Sequence, residues 1–506
     1  MRGLGSSRAS RAWLVVAFLG LVVIVIVLAL KLGARLGAGQ DLIDAAKPAI
    51  TDERVAGDRA GIDFISKYVD LADPLMTKRG GGSEEIAALV KLVAKKTKLS
   101  DAEVAAVLRK EAPHTEALLR ALPLSGVTAE IPRLTSYLAT KLNTSEEGIA
   151  AQLEQSFPRI SQTLTALPSV TNGWNDVPGM NAMTRFDGVT VVKTVPQLRT
   201  YFSKDLVAAV ERNKDDFQAV AGSGGVGYIP RLLLIVGALV LLFGLFQARR
   251  SRDAPPGKPS WGVVVAIGVV IVGLVGVLQY FPRLNGADRV IADMQPAFAQ
   301  ARVEGDRAGV DMVHQTVLFG DPVATKRGGA AAEVPKLVAF VAAQTGTKQA
   351  DVLKGLRARV PRTTALLEAI PLSTVAAEIP HLLTYLGKQL KLSRAELLAA
   401  LEDQTPHLAQ AILAVRPVAI RWNAIPGTED LTRFDGTSVR AMPALDTYFN
   451  QDVIPVLETQ RAHFGDLADP WPPLNYFPPL LLGVGALVLL YGLLGMFFAT
   501  KPARRT

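Results

Sequence analysis

The chain of 506 residues contains no cysteine and only five histidines. Without cysteine it can form no disulfide framework, thiol nucleophile, thiolate metal site or cysteine-linked lipid anchor. Charged residues make up only 20% of the chain, whereas hydrophobic residues make up 49% and the mean hydropathy is +0.26. This balance excludes a purely soluble protein and indicates membrane segments. At roughly 150 residues per domain, the length predicts several structural units.

The sequence also lacks the short motifs on which common enzyme and cofactor classes depend. It has no His-Glu-x-x-His metal motif, no Gly-x-Ser-x-Gly nucleophile elbow and no P-loop. The histidines do not recur at equivalent positions in the two halves described below, since His114 aligns with Arg362. We therefore expect no catalytic residue, no metal site and no cofactor, and the protein is not expected to be an enzyme.

Four apolar stretches without an internal charge are long enough to cross a membrane: 13–30, 232–248, 261–281 and 477–499. A hydrocarbon core of about 30 Å takes roughly 20 helical residues. The first stretch could be a cleaved signal peptide, but no clear cleavage site follows it and its counterpart at 261–281 is internal. We therefore interpret all four stretches as transmembrane helices.

Basic residues flank these spans in three short segments, 1–12, 249–260 and 500–506, each with a net charge of +3. Together they account for the whole formal net charge of +9, so the remaining chain is neutral overall. Basic residues in short loops stay in the cytoplasm. The pattern predicts a multi-pass plasma-membrane protein with cytoplasmic N- and C-termini and two extracytoplasmic domains, 31–231 and 282–476. The basic surplus is thereby explained without a nucleic-acid partner.

The second half of the chain repeats the first half 248 positions later. The aligned positions include Trp13 with Trp261, Trp174 with Trp422, and the segments Gly-Asp-Arg-Ala-Gly at 57–61 and 305–309, Thr-Lys-Arg-Gly-Gly at 77–81 and 325–329, and Thr-Arg-Phe-Asp-Gly at 184–188 and 432–436. This register predicts a tandem duplication in which each unit is span, outer domain, span. A weaker repeat with a shift of 45 places Val104, Leu108 and Pro113 on Ile149, Leu153 and Pro158.

The outer domains are expected to be mainly α-helical. A capping box at Ser100 and Glu103 predicts a helix start, Ser83 is placed to cap another helix, and prolines are expected to end helices. Longer helices are expected at 41–69 and 197–221. Between 174 and 195 the helical period is absent and an Asp-Gly pair precedes three valines, which predicts a turn and a short β element.

Two repeated loops carry the candidate site residues. In the Thr-Lys-Arg-Gly-Gly loops, Lys78 and Arg79 and their counterparts Lys326 and Arg327 could bind an anion such as a lipid head group. A flexible, solvated loop is the favoured alternative. In the Thr-Arg-Phe-Asp-Gly loops a recognition role is considered for four residues, but a tight structural turn is favoured. These residues are Arg185, Asp187, Arg433 and Asp435.

The second and fourth spans each carry two glycines seven residues apart, Gly237 with Gly244 and Gly485 with Gly492. Seven residues are about two helical turns, so each pair lies on one face and allows another helix to approach closely. Helix packing is the interpretation we favour, because no polar residue supports a pore.

The short cytoplasmic segments and the uncharged spans exclude several classes of function. They are too short for a kinase, cyclase or ATPase domain, and the spans lack the charges that ion-coupled transport uses. The first hypothesis is a non-enzymatic scaffold of a bacterial cell envelope whose outer domains bind envelope proteins or lipids beside the bilayer. The second is a lipid-binding or lipid-transfer protein with an apolar groove that faces the bilayer. An envelope hydrolase is the least favoured, and the sequence does not determine the oligomeric state.

Overall fold

The computed structural model describes residues 3–180, 183–221, 227–251, 257–277, 280–468 and 476–498. In these residues the chain is mostly helical and has no β-strand, which makes it an all-α protein. The helices are α1 Gly3–Ala29, α2 Leu32–Ala46, α3 Asp52–Met76, α4 Gly82–Thr97, α5 Asp101–Glu111, α6 Pro113–Ala121, α7 Leu124–Leu142, α8 Glu146–Ser156, α9 Pro158–Gly173, α10 Val195–Tyr201, α11 Val207–Ala221, α12 Ile229–Arg250, α13 Lys258–Val277, α14 Tyr280–Met294, α15 Gln300–Ala324, α16 Ala330–Thr345, α17 Gln349–Arg359, α18 Pro361–Ala369, α19 Leu372–Leu390, α20 Arg394–Gln404, α21 Pro406–Arg421, α22 Met442–Tyr448, α23 Ile454–Ala468 and α24 Phe477–Phe498.

The chain forms two compact units. The membrane unit comprises Met1–Thr51, Ala209–Gln300 and Val456–Thr506. The helical unit comprises Asp52–Ala208 and Ala301–Pro455. Each unit is thus assembled from both halves of the sequence.

Three helices of the membrane unit are long and apolar enough to cross a membrane: Ser10–Ala29, Ile229–Arg250 and Phe477–Phe498. They coincide with three of the four expected spans. The span expected at 261–281 corresponds to α13, in which the apolar segment Lys258–Gly273 is shorter, while residues 278–279 lie outside the described residues. Much of the basic flanks, at 1–2, 252–256 and 499–506, also lies outside the described residues.

The three candidate spans and α13 pack in two pairs, α1 with α12 and α13 with α24. A Cβ atom added at Gly244 would lie 2.4 Å from the backbone nitrogen of Ala17, and one added at Gly492 would lie 2.8 Å from the backbone nitrogen of Val265. In each pair the backbones of the two helices therefore come into close contact at the glycine. The expectation that these glycines permit close helix packing is confirmed. Trp13 and Trp261 stack with their ring centroids 4.2 Å apart and join the two pairs.

Four shorter helices of the membrane unit, α2, α11, α14 and α23, gather around apolar side chains. Leu36, Phe217, Leu284 and Phe464 are buried there and border a small cavity of about 40 Å³. The single helix expected at 41–69 is wrong, because α2 ends at Ala46 and α3 begins at Asp52. Pro48 lies in this break, where its missing N–H removes a helical hydrogen bond.

In the helical unit the helix bounds recur along the sequence. The bounds of α4 to α9 reappear 248 residues later in α16 to α21, and those of α5 and α8 differ by 45. The capping box at Ser100 and Glu103 is present, whereas the N-cap of α4 is Gly81 and not Ser83. Prolines begin α6, α9, α18 and α21, but others lie inside helices, as Pro132 does in α7, so the rule that they end helices holds only in part.

Helices of the helical unit take their packing partners from the opposite half of the sequence. Helix α6 packs against α18, and α3 packs against α21. Helices α4–α6 surround a core with α19–α21, which we name the first lobe, and α16–α18 do so with α7–α9, which we name the second lobe. Helices α18 and α19 are together apolar enough for one span, but they meet at 79° and bury their apolar residues in the core of this unit.

In the described residues of 174–195, the expected β element does not form a strand. Single antiparallel bridges join Thr184 to Val191 and Thr432 to Ser438, and the other described residues of each loop form turns, bends or irregular structure. Because the loop closes on itself within a few residues, it has no second strand with which to extend a ladder.

Candidate functional site

The Thr-Lys-Arg-Gly-Gly loops are tight turns fixed by packing. A Cβ atom at Gly80 would lie 1.9 Å from the carbonyl oxygen of Asp73, and Gly81 has a φ of +79°, so both positions require glycine. The second loop has the same geometry. The four cations of these loops, Lys78, Arg79, Lys326 and Arg327, are exposed. Their head-group role stays a prediction, and they line neither of the two cavities described below.

The repeated Trp-Asn pair anchors each of these loops. The indole nitrogen of Trp174 donates to Asp73 at 2.7 Å, and the side-chain amide of Asn175 donates to the hydroxyl of Thr77 at 2.9 Å. The second half repeats both bonds at 3.0 and 3.1 Å. Trp174 is fully buried, so its N–H needs this partner. The identity of these positions in both halves therefore has a structural cause.

The polar side chains of the Thr-Arg-Phe-Asp-Gly loops form hydrogen bonds and ion pairs with nearby residues of the protein. Asp187 accepts hydrogen bonds from the backbone of Val189 and Thr190 at 2.9 and 3.0 Å, and these bonds lower the pKa of its carboxyl group. Arg185 pairs with Asp205 through two hydrogen bonds of 2.6 and 3.0 Å. Local pairing thus satisfies this arginine and this aspartate, and their recognition role stays a prediction.

The second copy of the loop follows the same plan. Asp435 accepts a hydrogen bond from the backbone of Thr437 at 2.8 Å, which lowers its pKa. Arg433 lies 3.0 Å from Asp452 and 3.3 Å from Asp435. Asp205 and Asp452 belong to π-helical turns, Phe202–Leu206 and Phe449–Val453. A recognition role for this second pair likewise stays a prediction.

An arginine from the opposite half clamps each of these loops. Arg302 lies over the ring of Phe186 at 5.0 Å and donates to the carbonyl oxygens of Thr184 and Arg185 at 2.8 and 2.7 Å. Arg54 does the same to Phe434 and the carbonyls of the second loop. The helices that carry these arginines approach the loops closely because a Cβ at Gly305 would lie 2.3 Å from Met183. The motif at 305–309 therefore fits against the loop at 184–188, and the motif at 57–61 fits against the loop at 432–436, in each case across the two halves.

Each clamp lies beside a buried carboxyl group that faces a tyrosine. Asp306 is completely buried, and burial raises its pKa to about 8, although the nearby Tyr201 hydroxyl and Arg302 lower it in part. Asp58 faces Tyr448 in the same way, and burial raises its pKa to about 7. In the described residues no hydrogen bond of normal geometry reaches the Asp306 oxygens. We did not single out these acids from the sequence, although both stand in the repeated Gly-Asp-Arg-Ala-Gly segment.

The contact between α6 and α18 borders a polar cleft of about 630 Å³. The cleft is lined by charged, amide and apolar side chains from both halves: Arg109, Pro113, His114, Glu116, Ala117, Arg120, Val334, Pro335, Val338, Gln349, Leu353, Arg357 and Glu368. Its volume lies within the range of roughly 300–1,000 Å³ that is typical of ligand sites. We name it the arginine cleft.

Five charged side chains form a continuous chain of ion pairs in the arginine cleft. Arg109 and Arg120 lie 3.3 and 2.9 Å from Glu116, and Arg120 and Arg357 lie 2.9 and 2.7 Å from Glu368. Three cations face two anions, so the cleft retains one net positive charge. Glu116 is nearly buried, whereas Arg109 exposes 65% of its side chain and Arg357 exposes 57%. The two outer arginines thus keep donors for a bound anion.

Glutamates from one half cap helices of the other half, and two of the capped helices, α6 and α18, line the cleft. The carboxylate of Glu378 accepts from the backbone nitrogens of His114 and Thr115 at 3.1 and 2.8 Å, at the start of α6. Glu130 caps α18 through Thr363 at 2.8 Å. Glu85 and Glu333 cap α21 and α9 by equivalent bonds. A carboxylate at a helix N-terminus meets unpaired N–H groups and a favourable dipole. The caps on α6 and α18 therefore fix two walls of the cleft.

The first lobe encloses a second cavity, which is apolar and has a volume of about 70 Å³. Helix α6 separates it from the arginine cleft, because Thr115, Leu118 and Leu119 face the cavity whereas Glu116 and Arg120 face the cleft. The alternation follows from the 3.6-residue helical period. The two cavities are therefore distinct.

The sequence did not lead us to the arginine cleft. Arg109 and Arg357 are aligned positions, but Glu116 aligns with Thr364 and Arg120 with Glu368, so the ion pairs have no repeated motif. The sequence signal that could have indicated this region is the recurrence of a glutamate at the aligned positions Glu130 and Glu378, which cap the helices of the cleft. In the described part of the chain no group of three or more histidine, aspartate and glutamate side chains could hold a metal ion. Comparison with protein-family models, curated proteins and solved structures finds no match to this chain.

Proposed function

We propose that this protein is a membrane-anchored, non-enzymatic binding protein of the cell envelope that holds an anionic partner in the arginine cleft. The observation that carries the proposal is the combination of a ligand-sized cleft with three arginines, two of which keep free donors. Valine, proline and leucine side chains line the rest of the cleft and suit the apolar part of such a partner.

The proposed location rests on the candidate spans and the basic flanks. Three apolar helices support insertion in a plasma membrane, and the positive-inside rule supports cytoplasmic termini with the helical unit outside. The recurrence of helix bounds and sequence motifs at 248 residues supports an origin by tandem duplication. Divergence of the two copies explains why the ion pairs of the cleft are not themselves repeated.

Native mass spectrometry of the detergent-extracted protein tests the proposal. The wild type should carry a bound anionic species whose occupancy falls at least tenfold in the variant Arg109→Ala/Arg357→Ala. The fold should persist, because Arg120 still bridges Glu116 and Glu368 in that variant. Arg394→Ala, an exposed arginine outside the cleft, is the matched control. Equal occupancy in all three proteins, or no bound species in any of them, contradicts the proposal.

The second hypothesis, lipid binding, is favoured by a separate observation, the apolar cavity of the first lobe. The same spectra test it, since a bound lipid would persist when the cleft arginines are removed. Loss of a bound lipid together with the cleft arginines would instead assign its head group to the arginine cleft.

A further inference from the structure

One histidine stands in the wall of the arginine cleft. His114 is the second residue of α6, exposes 35% of its side chain, and lines the cleft together with Glu116 and Arg120 of the same helix. Its Nδ1 atom lies 2.8 Å from an oxygen of Glu378, the carboxylate that also accepts from the backbone nitrogen of His114. This bond fixes the imidazole ring in the wall of the cleft.

The bond to Glu378 also decides which ring nitrogen of His114 carries the proton. Burial raises the pKa of Glu378, but the hydrogen bonds that its carboxylate accepts outweigh burial and lower that pKa, so the group is ionised and can only accept. Nδ1 must therefore donate, and in the neutral ring Nε2 is left with a lone pair, which repels an anion. Protonation turns Nε2 into a donor with a positive charge.

The charges around His114 cancel while its ring is neutral. The ion-pair chain of the cleft carries one positive charge, and Glu378 of α19 offsets it. Helices packed against α6 contribute further charged groups, which are Lys110 and Glu111 of α5, 3.8 Å apart, Arg362 of α18, whose backbone nitrogen donates to Glu130 of α7, and His381 of α19, which lies 3.1 Å from Glu111 and does not line the cleft. Protonation of His114 therefore gives this region its net positive charge.

The repeat supplies two kinds of reference for His114. Four helices of the helical unit begin with a proline followed by a basic residue, and a glutamate from the other half caps each of them. In the second lobe these basic residues are Arg159 and Arg362, whose charge does not depend on pH. In the first lobe the other one is His407, whose ring contacts Glu85 in the same way but does not line the cleft.

We propose that His114 is a pH-dependent binding residue of the arginine cleft, whose protonated ring donates from Nε2 to the bound anion and so strengthens binding in acidic conditions. The inference rests on the proposed function, since it concerns the same cleft. The recognised group is an oxyanion, which either a lipid head group or a soluble phosphate ester can carry. Histidine ordinarily titrates between about pH 5 and pH 8, and that range sets the window of the effect.

The test is the binding of radiolabelled sulfate to the full-length protein in a nonionic detergent, measured by equilibrium dialysis at about pH 5.5 and about pH 8. Sulfate is the probe because its own charge is constant over this range. The wild type should bind sulfate about tenfold more tightly at the lower pH, the scale of one charge-assisted hydrogen bond. His114→Gln should bind at both pH values as weakly as the wild type does at the higher pH. His114→Arg, which introduces the residue of the aligned position 362, should bind tightly at both.

His407→Gln is the matched control, because it removes a histidine with the same glutamate contact outside the cleft. It should keep the pH dependence of the wild type. Loss of the dependence in His407→Gln, or its persistence in either His114 variant, overturns the proposal, and His114→Arg tests it even where His114→Gln fails to fold. Equal sulfate binding by the wild type at both pH values overturns the role of His114 but leaves the proposed function standing, whereas a wild type that binds no sulfate at either pH overturns both.

Competition at about pH 5.5 distinguishes the two sources of the oxyanion. Displacement of sulfate by dihexanoylphosphatidylglycerol at lower concentrations than by glycerol phosphate assigns the group to a lipid head group. The reverse order assigns it to a soluble ester. Either order supports an oxyanion site at His114, and failure of both compounds to displace sulfate overturns it.

Discussion

Burial of Asp306 should make the protein less stable as the pH rises, and replacement of Asp306 by asparagine should remove most of this effect. Asp306 is completely buried, and burial raises its pKa from the ordinary aspartate value of 3.8 to about 8 in the folded protein. Because burial favours the protonated form, the folded state holds a proton that the unfolded state releases between about pH 4 and pH 8. The free energy of unfolding therefore falls as the pH rises through this window, and the whole loss is present above pH 8.

The magnitude follows from the difference in pKa. At about 1.4 kcal/mol for each pH unit between the two pKa values, the difference between 3.8 and about 8 corresponds to a loss of about 6 kcal/mol above pH 8. At pH 5 the same group costs only about 1–2 kcal/mol, because the solution is then close to the unfolded pKa. Asparagine has nearly the same shape and does not ionise. Burial of its amide adds a cost that does not depend on pH and that cancels when two pH values are compared.

Asp306→Asn should therefore gain about 4 kcal/mol relative to the wild type between pH 5 and pH 9. The assay is denaturant unfolding of the detergent-solubilised protein at several pH values, followed by near-ultraviolet circular dichroism. Asp58→Asn should show a smaller effect of the same sign, because the pKa of Asp58 is about 7. Asp101→Asn, at an exposed position, is the control. The same pH slope in Asp306→Asn and the wild type would refute the argument.

Three further predictions concern the caps, the spans and the topology. Glu378→Gln should lower the free energy of unfolding by about 1–3 kcal/mol at pH 7, measured by denaturant titration. Burial alone would raise the pKa of Glu378, but the hydrogen bonds of its carboxylate at the start of α6 outweigh burial and lower that pKa. This loss should therefore be present above the ordinary pKa of glutamate and should shrink as the pH falls through the lowered pKa of the folded state. Gly244→Val should lower the thermal midpoint, because its first added carbon would lie 2.4 Å from the backbone of α1. An unchanged midpoint would contradict that packing. Cysteines at the exposed positions Lys110 and Lys348 should both react with an impermeant maleimide in intact cells, and one at Lys258 should not. Labelling at Lys258 would contradict the proposed topology.

Helix positions in the helical unit could be predicted well from local signals. The capping box at Ser100 places the start of α5, and the shift of 248 transfers each helix to the other half. Prediction failed where a local pattern has two outcomes. Pro132 lies inside α7 and does not end it, and the valines after Asp187 form one bridge instead of a strand. Neighbouring helices and loops decide such cases, and they are distant in sequence.

The candidate site residues show the same division. The repeated loops were found because identical residues recur in both halves, and the structure gives most of these residues a packing or hydrogen-bonding role. The Trp174 indole bonds Asp73, and Arg302 clamps the loop at Phe186. The arginine cleft was missed because its ion pairs join positions that are not equivalent in the repeat. Glu116, for example, aligns with Thr364.

The sequence by itself determined the class of the protein. Its long uncharged apolar stretches predict helices that could span a membrane, because a helix satisfies the backbone hydrogen bonds within one segment. The register of 248 and the caps determined the order and length of the helices, since both depend on near neighbours.

Only the tertiary structure decided that α3 packs on α21 and α6 on α18, and hence that the cleft and the apolar cavity lie among helices from both halves. Two nearly equal halves offer nearly equal apolar faces, so the pattern does not distinguish a partner in the same half from one in the other. The cross-half caps from Glu130 and Glu378, the clamps from Arg54 and Arg302 and the close contacts at Gly57 and Gly305 make that choice, because each is satisfied only when the halves exchange partners.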